Sequence, residues 1–206
     1  MDSARIAELL RPYLGERELT AAQLLQISTY INILTKWNEK TNLTAIREPE
    51  EMVRRHFGES LFAAAAWLEP DTAIHAIDVG SGAGFPGLPL KIYAPQLRLT
   101  LIEAHSKKNT FLREAIRALG LSGVDAYLGR AEQYDRKAEL VTLRAVEKFE
   151  SMLPVVGGLV EEGGRLALMI GSSQAAAAKE ILPGAWADPV ALPDSEGRVL
   201  LVRRAN

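Results

Sequence analysis

Between residues 76 and 87 the chain reads Ala76-Ile77-Asp78-Val79-Gly80-Ser81-Gly82-Ala83-Gly84-Phe85-Pro86-Gly87. An apolar run passes into a carboxylate, then into glycine at every second position, then toward a helix. Glycine tolerates positive φ and lets a ligand approach the backbone closely. Such a loop at the carboxyl end of a first parallel strand is where open α/β sheets bind nucleotide-like ligands.

The flanking sequence carries the rhythm such a sheet requires. Short apolar runs near 74–79, 97–103, 124–128, 139–144 and 165–170 read as strands. Stretches near 86–94, 107–119, 132–136 and 149–161 read as helices between them. Strands separated by helices imply βαβ units and a mostly parallel sheet. Val190-Ala191-Leu192-Pro193 and Val199-Leu200-Leu201-Val202 flank the turn-rich Asp194-Ser195-Glu196-Gly197, too short for a helix. They are expected to pair as an antiparallel hairpin at the sheet edge.

Residues 1–70 are expected to form a helical region packed on a domain spanning 71–206. Thr20-Ala21-Ala22-Gln23 has capping-box spacing and opens a run carrying Leu24, Ile27, Ile31, Leu34 and Trp37 at helical intervals. Another helix starts at Pro49, a residue suited to the first helical position. It runs toward Trp67, is weakened at Gly58 and is stopped by Pro70.

Composition narrows the function classes. The chain has no cysteine, which excludes disulfides, thiolate metal sites and a cysteine nucleophile. His56, His75 and His105 stand apart in sequence, so no metal spacing appears. The N-terminus shows no signal-peptide pattern and no run reaches membrane-spanning length, so a cytoplasmic protein is expected. Net charge is −2 over 206 residues, so a nucleic-acid partner would need a local basic face.

Two frames compete over the glycines. Gly82-Ala83-Gly84-Phe85-Pro86-Gly87 fits the dinucleotide pattern, with Glu103 about where a ribose-binding acid is expected; that frame makes an NAD-dependent oxidoreductase. The frame Asp78-x-Gly80-x-Gly82-x-Gly84 resembles the first motif of S-adenosylmethionine-dependent methyltransferases. Charge separates them. A pyrophosphate wants free amides and no acid, whereas a sulfonium and an ammonium are favoured by carboxylates such as Asp78 and Glu132. Pro86 also removes an amide from the helix start.

Wider blocks resemble one family. Trp37-Asn38-Glu39-Lys40-Thr41-Asn42-Leu43-Thr44-Ala45-Ile46, Arg55-His56-Phe57 with Ser60-Leu61, and Asp78 through Leu90 with its double proline are similar to the bacterial 16S ribosomal RNA guanine-N7 methyltransferases. This is the methyltransferase G, or glucose-inhibited division protein B, family. Lys107-Lys108 with Phe111-Leu112, Arg130-Ala131-Glu132 and Arg144-Ala145-Val146 follow in matching order. The resemblance implies a Rossmann-like class I S-adenosylmethionine-dependent methyltransferase fold with an N-terminal helical extension. It also implies cofactor contacts from Gly80, Phe85, Glu103, Ala104, His105, Ala131, Glu132 and Arg144, beside Asp78 and Gly82 of the loop. The family commonly has Lys-Gly where Ile170-Gly171 stands, so no lysine is assigned there. It often has Asp-Ser-Leu where this chain has Glu59-Ser60-Leu61.

The resemblance also implies a partner, the 16S ribosomal RNA of the small ribosomal subunit; a monomer is expected. Guanine N7 has a lone pair and no proton, so no acid or base is assigned; Arg144 would orient guanine or the cofactor carboxylate. Residues 71–120 hold six lysines and arginines against four acids. Lys107, Lys108, Arg113 and Arg117 recur along one helix, and Arg47, Arg54 and Arg55 add charge N-terminally; such residues are candidate phosphate contacts. Asn38 and Asn42 read as base contacts or turn caps, His56 as a surface or packing histidine, and Phe85 as a base-stacking or loop-packing ring. A non-catalytic RNA-binding assembly factor with the same fold is the remaining alternative.

Overall fold

The computed structural model describes residues 1–145 and 148–205; Val146, the last residue of the Arg144 block, lies outside them. Two helices open the chain, α1 (Ser3–Leu14) and α2 (Ala21–Asn38). The capping box forms as the spacing predicts: the Gln23 amide donates to Thr20 Oγ1 at 3.3 Å and the Thr20 amide to Gln23 Oε1 at 2.8 Å. Ile27, Tyr30, Ile31 and Leu34 then bury one face of α2. The Gln23 side-chain amide spans to the carbonyls of Ile92 and Tyr93, tying α2 to the end of a later helix.

Pro49 occupies the first turn of α3 (Pro49–Met52). The chain then widens into a π-helical stretch, Val53–Gly58, before tightening into α4 (Glu59–Trp67). The expected weak point at Gly58 has a tertiary cause. A Cβ there would lie 2.6 Å from the Tyr13 ring of α1, so the missing side chain is the seat for α1.

Among the described residues, eight strands form one sheet. In chain order they are β1 (His75–Val79), β2 (Arg98–Glu103), β3 (Val124–Leu128), β4 (Ala138–Arg144), β5 (Val160–Gly171), β6 (Ala185–Trp186), β7 (Val190–Ala191) and β8 (Arg198–Arg204). The order across the sheet is β3-β2-β1-β4-β5-β8-β6, with β7 also on β8. β1 to β5 are parallel, and β8 runs antiparallel to β5. The tail hairpin forms in the register Val190↔Leu200 and Ala191↔Val199. The sequence reading missed β6, a two-residue strand that pairs with the far end of β8. Such a short strand has no periodicity to read.

The crossovers are α5 (Gly87–Tyr93), α6 (Ser106–Ala118) and α7 (Phe149–Gly158), with α8 (Ala175–Ile181) following β5. The helix expected at 132–136 is only a 3₁₀ turn, Ala131–Gln133. The stretch expected to continue α7 to residue 161 instead begins β5, because Gly157-Gly158 gives out as helix.

One continuous core joins Ile6, Leu10, Ile27, Leu34, Phe57 and Leu61 of the N-terminal helices to Leu88, Leu101, Phe111 and Leu112. A second core, including Ile77, Val141, Leu153, Val156 and Leu168, fills the other face of the sheet under α7 and α8. Strand order reverses between β2-β1 and β4-β5. The loops after β1, β2 and β4 therefore gather at one sheet end, where ligands bind in such folds.

Gly58→Ala is expected to cost about 1–3 kcal/mol by forcing Tyr13 from its seat. Urea unfolding reads this as a lowered midpoint; an unchanged midpoint would show that α1 accommodates the methyl group.

Candidate active site

The loop after β1 is built from residues that spend their own amides. Gly80, Gly82 and Gly84 have φ of 67°, 56° and 89°, a region side chains enter only at a cost. The amides of Gly80 and Ser81 donate to the Ile102 carbonyl at 2.9 and 3.1 Å. The Gly82 amide donates to Glu103 Oε2 at 2.8 Å. Those of Gly84 and Phe85 turn back to the Ser81 carbonyl, and that of Gly87 reaches Asp78 Oδ2 at 3.3 Å. Pro86 has none. A Cβ on Gly82 would come no nearer than 3.8 Å to anything, the Gly80 carbonyl oxygen, whereas one on Gly84 would strike the Tyr30 hydroxyl and Leu88.

Asp78 corrects the sequence expectation. It is fully buried, accepts from Thr142 Oγ1 at 2.7 Å and lies under the first residue of α5. A Cβ on Gly87 would stand 2.9 Å from Asp78 Oδ2. A central parallel strand is covered on both faces, so a carboxylate within it holds the loop from below and does not line the cleft. Burial pushes its carboxyl up to about 6, against the bonds from Thr142, Ser81 and Gly87.

Glu103, at the end of β2, faces the cleft instead. Its Oε2 holds Gly82 and its Oε1 accepts from the His105 amide at 2.8 Å. The cleft has a volume of about 270 Å³ and is lined by Gly80, Gly82, Glu103, Lys108 and Arg144, with Thr44, His56 and Phe85 among its other walls. Ala104 and His105 are exposed beside it, and Ala131 with the exposed Glu132 forms the 3₁₀ turn after β3; none of these four lines the cleft itself.

Phe85 packs the loop. It is 7% exposed and stacks on Tyr30 (centroids 5.3 Å apart, planes 3° apart) and on His56 (4.7 Å, 20°), with Phe57 edge-on at 5.2 Å. Tyr30, from α2, donates its hydroxyl to the Ala83 carbonyl. His56 Nε2 lies 2.7 Å from Thr44 Oγ1, which also accepts from the Ile46 amide. Burial, then Arg144, Arg55 and Arg198, lower the His56 pKa to about 3, so the ring is neutral at physiological pH. Asn38 is a turn brace: its Oδ1 accepts from the Leu43 and Thr44 amides and its Nδ2 donates to the Thr44 carbonyl.

Arg144, at the end of β4, is bound on one side. Its Nη2 donates to the Arg55 carbonyl at 2.7 Å and to Glu59 Oε2 at 3.0 Å, while its buried Nη1 has no partner among the described residues. Sequence reasoning missed Glu59 as a site residue, although it is 1% exposed and meets Arg144, Arg198 and Arg55. The partners of Glu59 come from other elements, Arg144 from β4 and Arg198 from β8, so its one signal in the sequence was the departure from Asp-Ser-Leu. Tyr30 was missed for a like reason, being one apolar-face residue among several.

The basic candidates divide. Arg54 pairs with Glu50 and Arg55 with Glu51, each at 3.5 Å, and Arg47 donates to the Asn38 carbonyl at 3.0 Å. Lys107 is exposed on the first turn of α6, beside Lys108 at the cleft. Further along α6, Arg113 bonds Asn109, and Arg117 is exposed.

Phe85→Ala is expected to destabilise the protein by about 3–5 kcal/mol, as for other buried aromatic truncations; a thermal midpoint within a degree or two of wild type would contradict the packing role. For Asp78 the folded value lies above the unfolded one. The native state thus keeps a proton that the unfolded chain has released, and stability from this group falls as pH rises from roughly 4 to 6 and is level above. The melting-temperature difference between Asp78→Asn and wild type should therefore shift in the variant's favour from pH 4 to 7. A difference that is flat with pH would rule this out.

Comparison with known proteins places the chain. Solved structures share the fold. The ribosomal protein L11 methylase from Lactobacillus delbrueckii subsp. bulgaricus superposes with a TM-score of 0.62 at 12% identity, over 74% of this chain and 80% of that one. The M. jannaschii TYW2 structure in complex with AdoMet gives 0.53 at 15% identity, over 71% and 74%. Sequence similarity is closer. A Roseiflexus sp. protein named ribosomal RNA small subunit methyltransferase G is 39% identical over 198 residues, 89% of this chain and 84% of its own. Its Stenotrophomonas maltophilia namesake is 36% identical over 206 residues, 97% and 94% of the two chains. The family model described as rRNA small subunit methyltransferase G matches residues 23–182. The chain belongs to this family, the GidB family of rRNA small subunit methyltransferases G.

Proposed function

We propose that the protein transfers the methyl group of S-adenosylmethionine to N7 of a guanine in the 16S ribosomal RNA of the small ribosomal subunit, acting as a cytoplasmic monomer. The observation that carries the choice of cofactor is the inward turn of the glycine loop. Its amides at Gly80, Ser81, Gly82, Gly84, Phe85 and Gly87 already bond protein acceptors; among the described residues only the Ala83 amide of the loop is left over, too few donors for a pyrophosphate. A carboxylate, Glu103, faces the same cleft. These features disfavour NAD and suit a phosphate-free, cationic ligand.

The residues present fit such a donor. Glu103 would take the ribose hydroxyls, and the open face of Gly82 with Gly80 would lie along the methionine portion. Ala104, His105, Ala131 and Glu132 would border the adenine. Asp78 and Phe85 act at one remove, holding the loop from beneath and from the side. When bound, the donor supplies an electrophilic methyl group on sulfur.

Because guanine N7 presents a lone pair and releases no proton, the chain's work is alignment, a proximity effect. Arg144 would orient a reactant through Nη1, and the neutral His56 adds no positive charge opposite a sulfonium. Lys107, Lys108 and Arg47 would meet phosphates. Arg54 and Arg55, already paired with acids, would contribute less.

Gly82→Ala places a methyl group in the cleft and strains a positive φ by about 1–2 kcal/mol. Calorimetry should show donor affinity falling at least tenfold while the protein stays folded; unchanged affinity would remove the loop from the donor site. Tritiated methyl supplied with naked 16S RNA and with small subunits in parallel should appear at one guanine N7. Incorporation into neither would leave the assembly-factor alternative, and tight NAD binding without donor binding would leave the oxidoreductase.

A further inference from the structure

Glu59 is surrounded by more positive charge than it needs. Its own side chain is 1% exposed; its Oε1 meets Arg198 Nη2 at 2.7 Å and Arg55 Nε at 3.5 Å, and its Oε2 meets Arg144 Nη2 at 3.0 Å. A buried charge is costly unless matched, and one guanidinium would have matched it. Glu51, at 3.5 Å from Arg55, is the only other acid paired within the group among the described residues. A net positive charge therefore remains next to the cleft.

The hydrogen bonds show where it is directed. Arg144 Nη2 has two acceptors, the Arg55 carbonyl and Glu59. The guanidinium is planar, so fixing one nitrogen twice fixes the direction of the other. That other nitrogen, Nη1, is buried and has no partner among the described residues. A buried donor left unbonded carries a substantial penalty, and the residue bearing it lines the cleft.

We infer that Glu59 is a positioning residue for methyl transfer: by holding Nη2 of Arg144 it presents Nη1 to an electron-rich oxygen of a reactant. Two reactants carry such an oxygen, the carboxylate of the methyl donor and O6 of the target guanine, adjacent to N7. Through Arg198, at the start of β8, the same carboxylate ties the edge hairpin to the cleft. Burial raises the Glu59 carboxyl from its ordinary value against the pull of the three arginines, and burial lowers Arg144. Both directions describe a pair held together at a desolvation cost.

The inference rests on the methyl-transfer reading, and the test keeps them apart. Donor affinity is measured by calorimetry with S-adenosylmethionine, and kcat and KM with small-subunit RNA, for wild type, Glu59→Gln and Glu59→Asp. Leu153→Ala, in the core on the opposite face of the sheet, serves as a destabilised reference. Glu59→Gln is expected to lose at least tenfold in donor affinity if Nη1 takes the carboxylate. If it takes O6, the loss is at least tenfold in kcat/KM for RNA with donor affinity intact. Glu59→Asp, which keeps the charge, should stay within threefold, as should Leu153→Ala. If Glu59→Gln is insoluble, the double variant with Arg198→Gln, which also removes a cation, is compared with Arg198→Gln alone under the same thresholds. Donor affinity and kcat/KM both within threefold of the reference would overturn the inference, and so would a folded Glu59→Asp as impaired as Glu59→Gln. A wild-type protein that neither binds the donor nor methylates RNA would overturn the underlying reading as well.

Discussion

The aromatic packing around Phe85 is the contact on which the rest of the cleft depends. Phe85 belongs to the glycine loop, Tyr30 to α2, and His56 and Phe57 to the π-helical stretch before α4. Three parts of the chain far apart in sequence meet on one ring, and Tyr30 adds a hydrogen bond to the loop carbonyl of Ala83. A loop with three glycines at positive φ has much backbone freedom to lose. Here it is restrained from the side by this packing and from below by Asp78 with Thr142. The N-terminal helices are therefore part of the site, not an appendage to it.

That arrangement explains how the loop presents itself. With all its amides but that of Ala83 bonded to protein acceptors, the loop turns its bare glycine faces and the neighbouring Glu103 carboxylate to the cleft. The same packing places His56 and Thr44 on one wall and the Glu59–Arg144 pair beside it, so the N-terminal region supplies one side of the cleft. The excess arginine near Glu59 and the exposed Lys107 and half-buried Lys108 concentrate positive charge on a chain whose overall sign is negative. A local field of this kind attracts a polyanion without making the whole surface cationic.

Much of this was legible beforehand. The capping box at Thr20, the helix start at Pro49, the five parallel strands and the tail hairpin were each written in local chemistry or in a period that backbone geometry imposes. What escaped had no local signature. β6 is two residues long, and the seat of the Tyr13 ring against Gly58, at the end of the π-helical stretch, joins residues far apart in the chain. Phe85 read as either a base-stacking or a packing ring, because an aromatic residue beside glycines suits both. Asp78 read as a cofactor carboxylate because its place before the glycines is the same whether it points into the cleft or beneath it.

Fold class, family and the place of the cleft follow from periodicity, turn chemistry and an ordered set of motifs, all of them properties of neighbouring residues. Which polar groups line the cleft and which face the protein depends on contacts that form when the chain folds. Asp78 and Glu103 are both acids at strand ends, yet one is sealed under a helix and the other lines the cleft. Glu59 stood out in the sequence only as a departure from Asp-Ser-Leu, and in the fold it is the point where α4, β4 and β8 meet. Burial and hydrogen-bond partnership arise between residues distant in the chain, so they exist only once the chain has folded.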